Sequence, residues 1–157
     1  MERNYVSDLK PGKEVLIKGW IHEIRNLAKM KFLLLRDVSG IVQCVLKSES
    51  KGFTADLTLE SVVSIKGKTK NAKLTNEQLT QKDIEIEVSE LEVLSKAEEL
   101  PMQVNEKSVK AELPTRLDWR ALSLRTRKSQ AIFKVQAKII EGMQNYLNKH
   151  GFLQVFT

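Results

Sequence analysis

Apolar and polar residues alternate in short runs over the first hundred positions, the two-residue period of strands whose faces meet different surroundings. Glu14 to Ile24 (EVLIKGWIHEI), behind the turn signal Pro11-Gly12, is the first such run. Lys31 to Asp37 (KFLLLRD) ends at Ser39-Gly40, and Ile41 to Lys47 (IVQCVLK) follows closely enough to predict a hairpin. Val62 to Lys68 (VVSIKGK) and Ile84 to Leu94 (IEIEVSELEVL) complete five strands. Between the third and fourth, Ala55 to Glu60 is expected to form a short helix. There is no internal repeat and no low-complexity segment.

Five short strands with a small helix after the third is the order of an OB-fold, a partly open Greek-key barrel. An SH3-like barrel shares the propensities, and the helix position favours the OB reading. The pattern then changes. Pro101 and Pro114 bracket a polar stretch, QVNEKSVKAEL, with no clear period, which reads as a linker. From Arg125 to His150 the apolar residues Ile132, Val135, Ile139, Met143, Tyr146 and Leu147 recur at threes and fours, one stripe of a long helix. Thr126 is placed to cap its start and Gly151 to end it. Phe152 to Phe156 (FLQVF) reads as the beginning of a further strand. The expected fold is therefore mainly β: a five-stranded OB-fold barrel over residues 1–97, a hinge or linker over 98–124, and a long C-terminal helix with its strand over 125–157. One apolar face cannot satisfy itself in water, so the helix is expected to meet a domain or subunit beyond this segment.

Charge sharpens the picture. Residues 1–75 carry 14 basic and 8 acidic groups, residues 76–100 carry 2 and 8, and residues 101–157 carry 10 and 4. A polyanion is drawn to the first and third blocks and repelled by the second. No apolar run approaches the ~20 residues that span a bilayer. The first residues lack the apolar core of a signal peptide, and a single cysteine, Cys44, fits a reducing compartment. A cytoplasmic location with no membrane partner is expected. Two distant histidines and one cysteine offer no metal-ligand spacing, so no metal site and no catalytic residue are expected in this segment.

The third strand sorts its own faces. Val42, Cys44 and Leu46 form an apolar set for the core, whereas Ile41, Gln43, Val45 and Lys47 face outward, where Gln43 can read a base edge. In the fifth strand Ile84, Ile86 and Val88 point one way, Glu85 and Glu87 the other. Phe32 stands beside Lys31 and Lys29, with Arg25 shortly before. An aromatic ring among cations suits single-stranded nucleic acid, the ring stacking on a base while the cations hold phosphates. Lys66, Lys68, Lys70 and Lys73 lie in KGKTKNAK, read as a loop between the fourth and fifth strands without acidic neighbours, where OB-folds commonly grip an oligonucleotide.

Three ordered stretches, GWIHEIRNLAKMKFLLLRDVSGIVQCVL, VKAELPTRLDWRALSLRT and QAIFKVQAKIIEGMQNYLNKHGFLQVFT, resemble the N-terminal half of archaeal and eukaryotic-type aspartyl-tRNA synthetases. The resemblance covers essentially the whole chain. It implies that the barrel binds the anticodon loop of tRNA-Asp, with Phe32 stacking on the central uracil, Gln43 and Glu85 contacting anticodon bases and Arg25 matching a basic contact residue. Two departures stand out: Asn26-Leu27-Ala28-Lys29 replaces the usual Asp-Leu-Gly-Gly, and Ser123 replaces a frequent aspartate. The last stretch is similar to the first class II motif, a helix and strand at a homodimer interface whose next residue is a proline. The resemblance implies a longer parent that uses ATP and magnesium in its catalytic domain, with no cofactor in this segment and no activity of the segment alone. Asparaginyl- and lysyl-tRNA synthetases share the barrel. A free-standing OB-fold RNA-binding protein and a protein–protein interaction barrel are the other readings.

Overall fold

The computed structural model describes residues 2–105 and 110–156, in two compact units, 1–100 and 101–157. Residues 106–109, inside the polar stretch read as a linker, and Thr157 lie outside the described residues.

The first unit is built from β1 (Glu14–Leu27), β2 (Met30–Arg36), β3 (Ile41–Lys51), β4 (Val62–Asn71) and β5 (Ile84–Ser95), closed into a barrel in the order β1-β2-β3-β5-β4. All neighbours are antiparallel except β3 and β5, which run parallel. This is the five-stranded barrel that the alternation predicts. Its core takes the inward positions of every strand: Ile17, Ile21, Leu33, Leu35, Val42, Cys44, Leu46, Val63, Ile65 and Ile86 are completely buried. Burial and the Glu85 charge nearby push the Cys44 thiol up, away from reactivity.

Two expectations inside this unit are corrected. Ala55 to Glu60 is not helical. Phe53, Ala55, Leu57 and Leu59 all pack on the core, a period of two that suits extended chain rather than helix. Glu60 stands at φ 64, outside helical space. Lys66 to Asn71 is strand rather than loop, because β4 runs on to Asn71 with Gly67 and Thr69 buried between outward-facing lysines, and only Ala72 and Lys73 of the stretch fall in the connection. Part of the outer face of β3 is covered. Ile41 is buried there in a second small cluster with Leu34 and Leu79, the last from the β4–β5 connection.

The second unit holds two short helices, α1 (Leu113–Asp118) and α2 (Arg120–Ser123), within the segment read as a linker, and then the long α3 (Arg127–Lys149). Thr126 caps α3 by accepting from the Ser129 amide. At its end, Phe152 N–H bonds to Leu147 O at 3.1 Å and Gly151 N–H to Asn148 O at 3.2 Å. Gly151 has φ +83, so this is the paired closure that glycine makes cheap. The apolar stripe is in place and fully open: Ile132, Val135, Ile139, Met143, Tyr146 and Leu147 are all exposed. Phe152 to Phe156 forms no strand. An extended segment needs a ladder partner for its backbone groups, and none of the described residues pairs with it.

Candidate nucleic-acid interface

Register alone brings six of the sequence-selected residues into two adjoining rows. Phe32 on β2 pairs with Arg25 on β1 and with Val45 on β3, and Val45 pairs in turn with Glu87 on β5, itself opposite Lys68 on β4. The adjoining row runs Glu23, Leu34, Gln43, Glu85, Lys70. Both rows lie on the outer face of the barrel. Over β1–β3 this face is concave, a groove of about 430 Å³ to which β1 gives Glu23, Arg25 and Leu27, and the central strands Phe32, Leu34 and Gln43. Lys73, Leu74, Thr75 and Asn76 complete it from the start of the β4–β5 connection.

The β1–β2 turn that frames one end departs from the usual two-residue hairpin. Leu27 pairs with Met30, leaving Ala28 and Lys29 as the loop, and neither has a positive φ. The primed turns that glycines favour are therefore not used here. Lys29 is exposed at this tip. Lys31 turns to the other side of the sheet, its Nζ 5.0 Å from the centre of the Phe53 ring, and is the one candidate that departs from the groove and its flanking face.

Two polar groups of the strands in the groove are already engaged. Gln43 Nε2 donates to Glu85 Oε2 at 3.1 Å, which leaves Gln43 Oε1 as an acceptor. Arg25 Nε donates to Glu23 Oε1 at 2.7 Å, with the guanidinium otherwise exposed. Phe32 is half-buried, its ring neither lost in the core nor free of the sheet. The arrangement presents one flat apolar ring, carbonyl and carboxylate acceptors, and an arginine fork along one depression. That is the chemistry of an unstacked nucleobase: a π-face to stack and edges to bond.

Beside the groove, the lysines meet acidic partners that the linear reading missed. Lys47 and Lys70 both bridge to Glu87, and Lys51 and Lys66 both bridge to Glu90. The hydrogen bonds from Lys47 and Lys70 hold the Glu87 carboxyl down at about 2, and those from Lys51 and Lys66 do the same for Glu90. Cross-strand partners sit too far apart in sequence for a local reading to see them. Lys68 and Lys73 are exposed. Lys68 stands in the row of Phe32, and Lys73 on the groove itself.

A strap holds one side of this site. Between Ala72 and Ile84 only Leu74 and Leu79 are apolar, and Leu79 is the anchor that buries against Leu34 and Ile41. Thr80 Oγ1 accepts from the Ile41 amide at 2.8 Å, and a Cβ on Gly40 would lie 2.2 Å from that oxygen, so glycine is required there. His22 supplies a further tie. The β1–β2 register shifts between Ile21 and Glu23, making His22 the extra residue of a bulge. Its Nδ1 faces Arg36 Nη1 at 3.0 Å and its Nε2 faces Gln78 Oε1 at 2.8 Å. A guanidinium only donates, so Nδ1 accepts and the proton sits on Nε2, donated to Gln78. Burial, and then the Arg36 charge, lower the His22 pKa and keep the ring neutral. Arg36 Nη2 in turn donates to both carboxylate oxygens of Glu60 at 2.7 Å.

Glu23, Leu27, Leu34, Leu74, Thr75 and Asn76 were not singled out in the sequence. For Glu23 the alternation of β1 carried the signal, since it shares a face with Arg25. For the connection, the isolated Leu79 in a polar stretch was the mark of a docked segment. Among the described residues there is no group of three or more His, Cys, Asp or Glu able to hold a metal ion, and no helix long and apolar enough to cross a membrane.

The barrel and the helices that follow it each match a family of known proteins. The family described as an OB-fold nucleic acid binding domain matches residues 15–94, and that of the class II tRNA synthetases (D, K and N) matches residues 112–157. Aspartate–tRNA(Asp/Asn) ligase of Sulfurisphaera tokodaii is 38% identical over 98% of this chain and 36% of its own length. Among solved structures, aspartyl tRNA synthetase from Entamoeba histolytica aligns at 27% identity with a TM-score of 0.85, covering 99% of this chain and 39% of that one. Asparaginyl-tRNA synthetase from Pyrococcus horikoshii aligns at 32% identity and TM-score 0.82, covering 99% and 36%. The chain thus spans little more than a third of the relatives it matches.

Proposed function

Because the chain belongs to the OB-fold nucleic acid binding domain family, with residues 15–94 matching it, we propose that its barrel reads the anticodon loop of tRNA-Asp. The observation that carries this reading is the single groove in which Phe32, Gln43 and Arg25 converge, with Glu85 bonded to Gln43. Phe32 stacks on one anticodon base, Gln43 and Glu85 accept from base edges, and Arg25 holds phosphate or base. Lys29, Lys66, Lys68, Lys70 and Lys73 add sequence-independent attraction to the backbone. Lys31, first assigned the same role, contributes at longer range from beyond the groove.

The resemblance of the whole chain to aspartate–tRNA ligases supports a wider proposal. The segment is the recognition part of a larger cytoplasmic enzyme that activates aspartate with ATP and magnesium and then esterifies tRNA. This segment alone forms no aspartyl-adenylate. Residues 1–97 are the anticodon-binding domain, 98–124 the hinge and 125–157 the start of the catalytic domain. The open stripe of α3 is its homodimer surface. Ile139→Lys should then abolish self-association of the parent, read by sedimentation.

The asparaginyl-tRNA synthetase alignment keeps a second reading in view, recognition of tRNA-Asn. Titrating the chain with tRNA-Asp, tRNA-Asn and anticodon-substituted transcripts decides between them. Preference for tRNA-Asp that vanishes on changing its anticodon supports the first. Equal, purely salt-dependent binding of all transcripts would leave only a general RNA-binding barrel.

A further inference from the structure

Gln43 on the groove, and the Glu85 carboxylate bonded beside it, offer acceptors, whereas nucleobase edges carry carbonyl oxygens as well as amino groups. Arg25 Nε, a donor at the rim, is engaged by Glu23. One further side chain on the groove has an amide to offer. Asn76 Oδ1 accepts from the Gln78 backbone N–H at 2.9 Å. A backbone amide can only donate, so this bond fixes which end of the Asn76 amide is oxygen and leaves its Nδ2, with two N–H groups, available. Asn76 is half-buried and lines the groove alongside Phe32 and Gln43.

We infer that Asn76 is a further base-reading residue, its Nδ2 donating to a carbonyl or ring-nitrogen acceptor on the nucleotide next to the one stacked on Phe32. This rests on the anticodon reading above and adds to it a specificity element from outside the strands. The strap gives Asn76 the rigidity such a role requires. The turn from Asn76 to Leu79 is closed by Leu79 N–H to Asn76 O at 3.3 Å. Leu79 is anchored in its apolar cluster, and Gln78 is tied to His22 at 2.8 Å. A donor held in place before binding spends little ordering entropy on contact, and it discriminates because a base lacking the acceptor would leave it buried and unpaired.

The test titrates the chain and its Asn76→Ala and Asn76→Ser variants with a tRNA-Asp transcript and three transcripts changed at one anticodon position each. Serine keeps a side-chain acceptor for the Gln78 amide, so its thermal melting should match wild type while its binding follows alanine. Both variants should bind the unchanged transcript about 3- to 10-fold more weakly, the size of one hydrogen bond. At one anticodon position, the change that penalises wild type should penalise the variants less by the same factor, with the other two positions unaffected. Uniform weakening across all four transcripts, or none, would overturn the assignment of Asn76. Wild-type protein that ignores all three anticodon changes would overturn the anticodon reading beneath it, and the assignment with it.

Discussion

Gln43 and Glu85 stand directly opposite one another on the parallel β3–β5 pair, and the Gln43 amide donates to the Glu85 carboxylate at 3.1 Å. The bond orients both side chains, so under the proposed anticodon reading they meet a base as a unit. Removing either one frees the other to rotate. Gln43→Ala and Glu85→Ala should each weaken binding to tRNA-Asp, and the double variant should lose less than the sum. A coupling of about 0.5–3 kcal/mol is expected for residues in direct contact. Titration of the four proteins with one transcript measures it, and strict additivity would mean that the two act separately.

Among the described residues Phe32 offers the groove's one aromatic face, and it lies on the row that continues to Lys68. Phe32→Ala should cost about 1–3 kcal/mol of binding, the usual contribution of one stacked base. Phe32→Tyr keeps the ring and should restore most of it. Because the residue is half-buried on the outer face and not part of the core cluster, circular dichroism should show both variants folded. Equal loss in both would assign Phe32 a packing role instead.

Under the proposed reading the lysines act through charge, and their ion pairs divide them. Lys68→Ala should weaken all RNAs alike and flatten the slope of log K against log salt by about 0.7, the value for one phosphate contact on a single strand. Lys70→Ala should do the same to a smaller extent, because its charge is already shared with Glu87. Glu87→Gln releases both Lys47 and Lys70 and should instead tighten binding and steepen the slope. A weaker-binding Glu87→Gln variant would assign that carboxylate to base contact.

Much of this was legible before the structure, and the reasons are physical. Period-two alternation fixes which side of a strand a residue faces, so Cys44 in the core and Gln43 outside followed from β3 alone. Phe32 and Gln43 end up neighbours because adjacent outward positions on antiparallel strands must be. The pairing of Lys47 with Glu87, 40 residues apart, follows from the β3–β5 crossover, which no local pattern records. The Ala55–Glu60 helix was a propensity argument, and burial of alternate residues from Phe53 to Leu59 overrode it. The strand expected after Gly151 had the right composition, but a strand exists only with a partner, and composition does not supply one.

His22 makes the pH dependence of this fold asymmetric. Its folded pKa lies below the ordinary histidine value of 6.5, because burial and the adjacent Arg36 disfavour the imidazolium. In the unfolded chain the ring takes up its proton as the pH falls through 6.5, while in the folded chain it resists. The unfolded state therefore binds more protons in that interval, and stability falls as pH falls, by at most about 1.4 kcal/mol per pH unit for one proton. Above 6.5 both states are neutral and the contribution is fully present. Protonation in the folded state would set an Nδ1–H against the Arg36 donor, breaking the 3.0 Å contact beside the Gln78 tie. Denaturant unfolding at pH 8, 6.5 and 5.5 should show this loss. His22→Gln, which cannot titrate, should flatten that interval while lowering stability at pH 8. An unchanged slope in the variant would mean that His22 does not govern it.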